Sequence, residues 1–66
     1  MKRNELIAAR KSKGLTQLEL AQRIGITRAY LANIERGEHD PSLKVAQAIA
    51  RELKKNISVI FRPESA

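Results

Sequence analysis

The chain has 66 residues, of which 42% are hydrophobic and only two, Tyr30 and Phe61, are aromatic, and it carries a net charge of +6 from 13 Lys and Arg against 7 Asp and Glu. It has no cysteine and a single histidine, His39, so disulfides and thiolate metal sites are excluded, a histidine triad lacks its parts, and no metal or other cofactor is expected. The length accommodates one domain over residues 1–66, and the basic balance favours a polyanionic partner, nucleic acid before membrane.

In chain order, the start "MKRNELIAARKSKG" lacks the apolar block and small-residue cleavage site of a signal peptide. No later run approaches the roughly 20 apolar residues that span a bilayer. A cytoplasmic protein without a membrane partner is therefore expected. Asn4 is the predicted cap of a first helix running to about Lys13, with Leu6, Ile7 and Ala9 turned inward and Gly14 as its stop. Thr16 and Glu19 form the T-x-x-E pattern of a capping box, which opens a second helix with apolar Leu18, Leu20, Ala21 and Ile24 and ends it at Gly25. Thr27 caps a third helix that runs to about Arg36 and stops at Gly37. In the "EHDPS" loop that follows, Asp40 is the expected cap and Pro41 the first residue of a fourth helix. Leu43, Ala46, Ile49, Ala50 and Leu53 give that helix its apolar stripe. The run "NISVIF" fits a short fifth helix capped by Asn56 or Ser58. Its β-branched content also permits a strand, but no second strand is available to pair with it. The tail 62–66 is expected to fray. The fold class is all-α, a bundle of four or five short helices.

The third helix is the unusual one. At about 100° per residue, Arg28, Ala29, Ala32, Asn33 and Arg36 fall within roughly 140° of arc, opposite Leu31, Ile34 and the Tyr30 ring. Two alanines keep this outer face low while Arg and Asn project from it. A major groove about 12 Å wide admits such a face, where Arg pairs with guanine, Asn with adenine, and an alanine methyl meets the thymine methyl. Any amphipathic helix also has a solvated side, so geometry alone leaves both readings open.

The context is more specific. Ala21 is small where the second and third helices would cross, and Gly25, Ile26 and Thr27 make a short turn between them. With "LTQLELAQRIGITRAYLANIERG" and "PSLKVAQAIARELKKNISVIF", nearly the whole chain resembles the Cro/C1-type, or Xre-type, helix-turn-helix transcriptional regulators of phages and bacteria. The resemblance implies a lambda-repressor-like DNA-binding domain with its motif at about 17–36, encoded by a bacterium or phage and associated with the nucleoid.

Carried over to this chain, the base-reading positions fall on Arg28, Ala29 and Asn33, although Arg28 also suits a backbone grip. Ala29 departs from the glutamine found there in well-known phage repressors. The implied phosphate contacts are Gln17, Arg23, Thr27, Tyr30 and Arg36. Each has a plainer reading: Gln17 as a first-turn residue, Thr27 as a cap, Tyr30 as packing, Arg23 and Arg36 as solvated charge. Arg10 and Glu35 match the family's structural ion pair between the first and third helices. In "EHDPS", Glu38 and Asp40 stand where several phage relatives are basic, which shrinks the expected backbone footprint or shifts it to Lys44 and His39.

Leu53, Ile57, Val59, Ile60 and Phe61 crowd more apolar area into the C-terminal segment than one short helix buries, and they form the expected homodimer surface. The function implied is sequence-specific recognition of double-stranded DNA, with repression from a pseudo-palindromic operator and without a small-molecule ligand. A protein-interaction module of bridging-factor or antitoxin type on the same fold is the alternative. Catalysis is not expected, since no Gly-rich phosphate loop or nucleophile motif occurs.

Overall fold

The computed structural model describes residues 2–61, and the tail 62–66 lies outside them. Five helices follow one another: α1 (Asn4–Ser12), α2 (Gln17–Ile24), α3 (Arg28–Arg36), α4 (Leu43–Leu53) and α5 (Ile57–Ile60). No strand occurs among the described residues, so the C-terminal run is helical. α2 packs on α3 and α4, α1 on α3 and α5, and α4 on α5.

Local chemistry explains most helix ends. The Thr16 hydroxyl accepts the Glu19 backbone N–H while the Glu19 carboxylate accepts that of Thr16, the reciprocal capping box. Thr27 caps α3 through the Tyr30 N–H, and Asn56 caps α5 through that of Ser58. α2 closes with Ile26 N–H donating to the Ala21 carbonyl and Gly25 N–H to that of Gln22, with Gly25 at φ 79°. This is the Schellman arrangement, whose left-handed residue favours glycine because it lacks Cβ. α1 and α3 stop in the same way, and α4 repeats it with Lys54 at φ 56°, a non-glycine residue in the glycine position.

Two predicted caps are corrected. α1 has Arg3, not Asn4, at its N-cap and no side-chain cap. There the Arg3 backbone N–H is drawn into a tertiary bond to the Glu35 carbonyl (2.8 Å), which fixes where α1 begins. α4 is capped by Ser42 through the Val45 N–H (3.2 Å) and starts at Leu43. Asp40 is unavailable because its carboxylate pairs with the Arg3 guanidinium, so Pro41 precedes the cap and does not open the helix.

Leu6, Leu20, Leu31, Ile34, Ile49 and Leu53 are fully buried and form the core with Ala9, Ala21, Ala50 and Ile60. Each large aliphatic side chain contributes roughly 1.5–3 kcal/mol by leaving water. Ala21 is fully buried in α2, and Ile26 from the turn packs against the cluster. Leu18 and Leu43, expected on inward stripes, are instead 50% and 68% exposed, and Ile7 is half-buried. Each of those two leucines lies at the first turn of its helix, where the chain is still entering the bundle and fewer neighbours overlie it.

Candidate nucleic-acid interface

α3 meets solvent along Arg28, Ala29 and Arg36, with Asn33 half-buried beside them. Ala32, expected on this face, is buried. An alanine flanked at i−4 and i+4 by arginines retains little surface of its own. Ala29 is therefore the one exposed methyl of the outward face.

The inner side of α3 is fixed by a buried ionic network. Glu35, 3% exposed, accepts Arg10 Nε at Oε2 (2.7 Å) and Arg10 Nη2 at Oε1 (3.2 Å), a two-pronged pairing of the kind a planar guanidinium forms with a carboxylate. Arg10 also donates through Nη1 to the Leu15 carbonyl (2.8 Å). The third donor to Glu35 is Gln17 Nε2 (3.0 Å), and the Gln17 carbonyl in turn accepts Arg28 Nη1 (3.4 Å). No buried side-chain polar atom among the described residues lacks a partner. A chain of contacts thus runs from α1 through the buried end of α3 to the start of α2 and out to Arg28.

The other outward side chains are also engaged. Arg36 Nη2 donates to Asn33 Oδ1, and its Nε lies 3.6 Å from Glu38. Arg23 pairs with Glu52 of α4 (3.0 Å) while remaining largely exposed. Tyr30 is half-buried, with its ring set edge-on to that of His39 at 6.0 Å between centroids. Thr27 is exposed and its hydroxyl oxygen receives the Tyr30 N–H. Lys44 is exposed on the first turn of α4.

Arg3 is the residue that sequence reading missed. Its Nε donates to the Ile34 carbonyl (3.0 Å), its guanidinium carbon sits 5.3 Å from the Phe61 ring centroid, and it pairs with Asp40. It thereby joins the N-terminal segment to the end of α3, the following loop and the end of α5. A basic residue near a chain start carries no local signal of such a role. Asp40, expected to repel phosphate, has part of its charge offset by Arg3.

The residues expected at the dimer surface divide. Leu53 and Ile60 turn into the core, because they complete the inward stripes of α4 and α5 that close over α1 and α2. Ile57 and Phe61 lie half-buried at the core's edge and Val59 is exposed. With the exposed Leu43 they line an open groove of about 1180 Å³ between the N-terminal segment, α4 and α5. Among the described residues no helix is long and apolar enough to cross a membrane.

The sequence matches the helix-turn-helix family profile over residues 6–60. It is 49% identical over 53 residues to an HTH-type transcriptional regulator of Methanothermobacter thermautotrophicus, covering 79% of this chain and 77% of that protein. It is 41% identical over 58 residues to the immunity repressor protein of Bacillus phage phi105, covering 88% of this chain but only 40% of the repressor. The fold superposes on the restriction-modification controller protein C.AhdI from Aeromonas hydrophila with a TM-score of 0.80 at 33% identity, covering 88% of both chains.

Proposed function

The chain belongs to the Cro/C1-type helix-turn-helix family, a class of DNA-binding transcriptional regulators and not of enzymes, and from that premise we propose that it acts in the cytoplasm as a homodimeric repressor reading a pseudo-palindromic operator. One helix reads few base pairs, and pairing two copies supplies the missing affinity and selectivity. Half-sites of such dimers lie about one helical turn, roughly 34–36 Å, apart.

The observation that carries this reading is the arrangement of Arg28, Ala29 and Asn33 on the outer face of α3, above a locked Glu35 network. In the proposed complex these three meet base edges. Gln17, Arg23, Thr27, Tyr30 and Arg36 meet phosphates. Gln17 uses its backbone N–H, one of the first-turn donors that have no partner within a helix. The Arg23–Glu52 pair is exposed and worth about 0–1 kcal/mol, so a phosphate displaces the carboxylate at little cost.

The proposed dimer face is the groove edge formed by Leu43, Ile57, Val59 and Phe61, supported by the exposure of Leu43 and Val59. A monomer by sedimentation at high micromolar concentration would count against it. The function itself is tested by selecting duplexes from a random library at one near-physiological salt concentration. Enrichment of an inverted repeat with half-site centres about 10 base pairs apart supports it. Recovery of no shared sequence refutes it, and loss of a protein contact but not of DNA binding in Asn33→Ala would favour an interaction module.

A further inference from the structure

We propose that the reading face of α3 presents hydrogen-bond donors only, so that each half-site carries guanine, not adenine, at the base Asn33 meets. The inference rests on the double-stranded DNA reading above and specifies its target. The side-chain acceptors around the outer face of α3 already have partners inside the protein. Gln17 Oε1 accepts from Arg28, Asn33 Oδ1 accepts from Arg36, the exposed Glu38 carboxylate pairs with Arg36, and on the inner side the Glu35 carboxylate accepts from Arg10 and Gln17. Arg28 and Arg36 have no acceptor to offer, and Ala29 adds a methyl.

The orientation of Asn33 follows from the same chemistry. A guanidinium only donates, so the amide must turn its oxygen toward Arg36 and its NH₂ away from it. Asparagine normally recognises adenine with both halves of the amide, donating to N7 and accepting from the N6 amino group. Here the accepting half faces a cation. Its second lone pair does not rescue adenine, because the N6 amino hydrogens would then lie beside the positive guanidinium. Guanine suits the arrangement, since N7 and O6 are both acceptors; thymine offers O4 alone, and cytosine offers only a donor. Arg36 is thus a positioning residue that sets the specificity of Asn33 without itself touching the base.

The test is duplex selection at one salt concentration with the full chain and with Asn33→Ala, Arg36→Ala and Arg36→Lys. Asn33→Ala identifies the position that loses its preference. At that position the unaltered protein is expected to select guanine. Arg36→Ala, by freeing Oδ1, should shift the adenine-to-guanine affinity ratio about tenfold toward adenine, the scale of one good side-chain–base pairing. Arg36→Lys retains a cationic donor and should retain guanine. Arg36 is exposed, so its substitution leaves the fold intact. Its lost charge weakens all sequences alike, and the ratio is unaffected by that loss. Adenine selected by the unaltered protein, or an unchanged ratio in Arg36→Ala, overturns the proposal while the operator-reading function stands. Failure to select any shared sequence overturns both.

Discussion

Replacing Arg10 by alanine tests the buried network most directly. It removes two of the three hydrogen bonds to Glu35 and the cation in contact with it, leaving a 3% exposed carboxylate held by Gln17 alone. Stranding one partner of a buried pair costs about 3–5 kcal/mol. At about 0.05–0.15 kcal/mol per residue, 66 residues provide roughly 3–10 kcal/mol in total. The single substitution therefore removes a large share of the stability, and in the lower part of that range it unfolds the domain. At about 4–8 °C per kcal/mol for a domain of this size, the melting midpoint should fall by roughly 12–40 °C. Thermal and urea unfolding followed by circular dichroism measure this. The double variant Arg10→Met with Glu35→Leu removes both charges and should recover most of the loss. It should still bind duplex DNA more weakly, because Gln17 no longer has Glu35 to hold it against Arg28. An Arg10→Ala stability loss of about 1 kcal/mol or less would refute the reasoning, since the pair would then behave like an exposed one.

Other expectations come from single sites. Lys54 holds a left-handed conformation at the end of α4, so Lys54→Gly should raise stability by up to about 1 kcal/mol in urea unfolding, the relieved strain being partly offset by the freer unfolded chain; a loss of stability would contradict this. Leu43→Asp should leave the melting midpoint unchanged or slightly raised, because the position is exposed on the first turn of α4 where an acidic residue suits the helix dipole. The same substitution should weaken self-association at least about tenfold by sedimentation, against the roughly 1.4 kcal/mol that this represents. Arg3→Ala should cost about 1–2 kcal/mol: the Ile34 carbonyl keeps its bond from Gly37, and the Asp40 carboxylate, 93% exposed, is hydrated without its partner. A midpoint unchanged in Arg3→Ala would mean that the N-terminal segment is not anchored by this side chain.

The predicted specificity and the network share one physical theme. A helix that reads bases must hold flexible polar side chains in set directions before DNA arrives, since ordering each on binding costs about 0.5–1.5 kcal/mol. Gln17 holds Arg28, and Arg36 holds Asn33. Ala29 has almost no side-chain freedom to lose.

What the amino-acid sequence determined by itself is the set of helices and most of their ends. Capping at Thr16 and Thr27, the glycine stops at 14, 25 and 37, and the helical spacing of Leu31 with Ile34 in α3 and of Ile49 with Leu53 in α4 all act within a few residues of chain, so they are legible locally. The outward Arg28, Ala29 and Asn33 follow from the same periodicity. Several cap and burial assignments required the tertiary structure. Asp40 was the cap expected for α4, yet Ser42 holds that place while the Asp40 carboxylate pairs with Arg3. Leu43 and Leu53 lie on one α4 stripe, yet only Leu53 is overlaid by neighbouring helices. The use of long polar side chains was least legible. Arg3 to Ile34, Arg3 to Asp40, Arg23 to Glu52 and Gln17 to Arg28 join residues 11 to 37 positions apart. Such pairs form only once helix packing has set the distance between their backbones, and a side chain with several rotatable bonds carries no sign in the sequence of which partner it will reach.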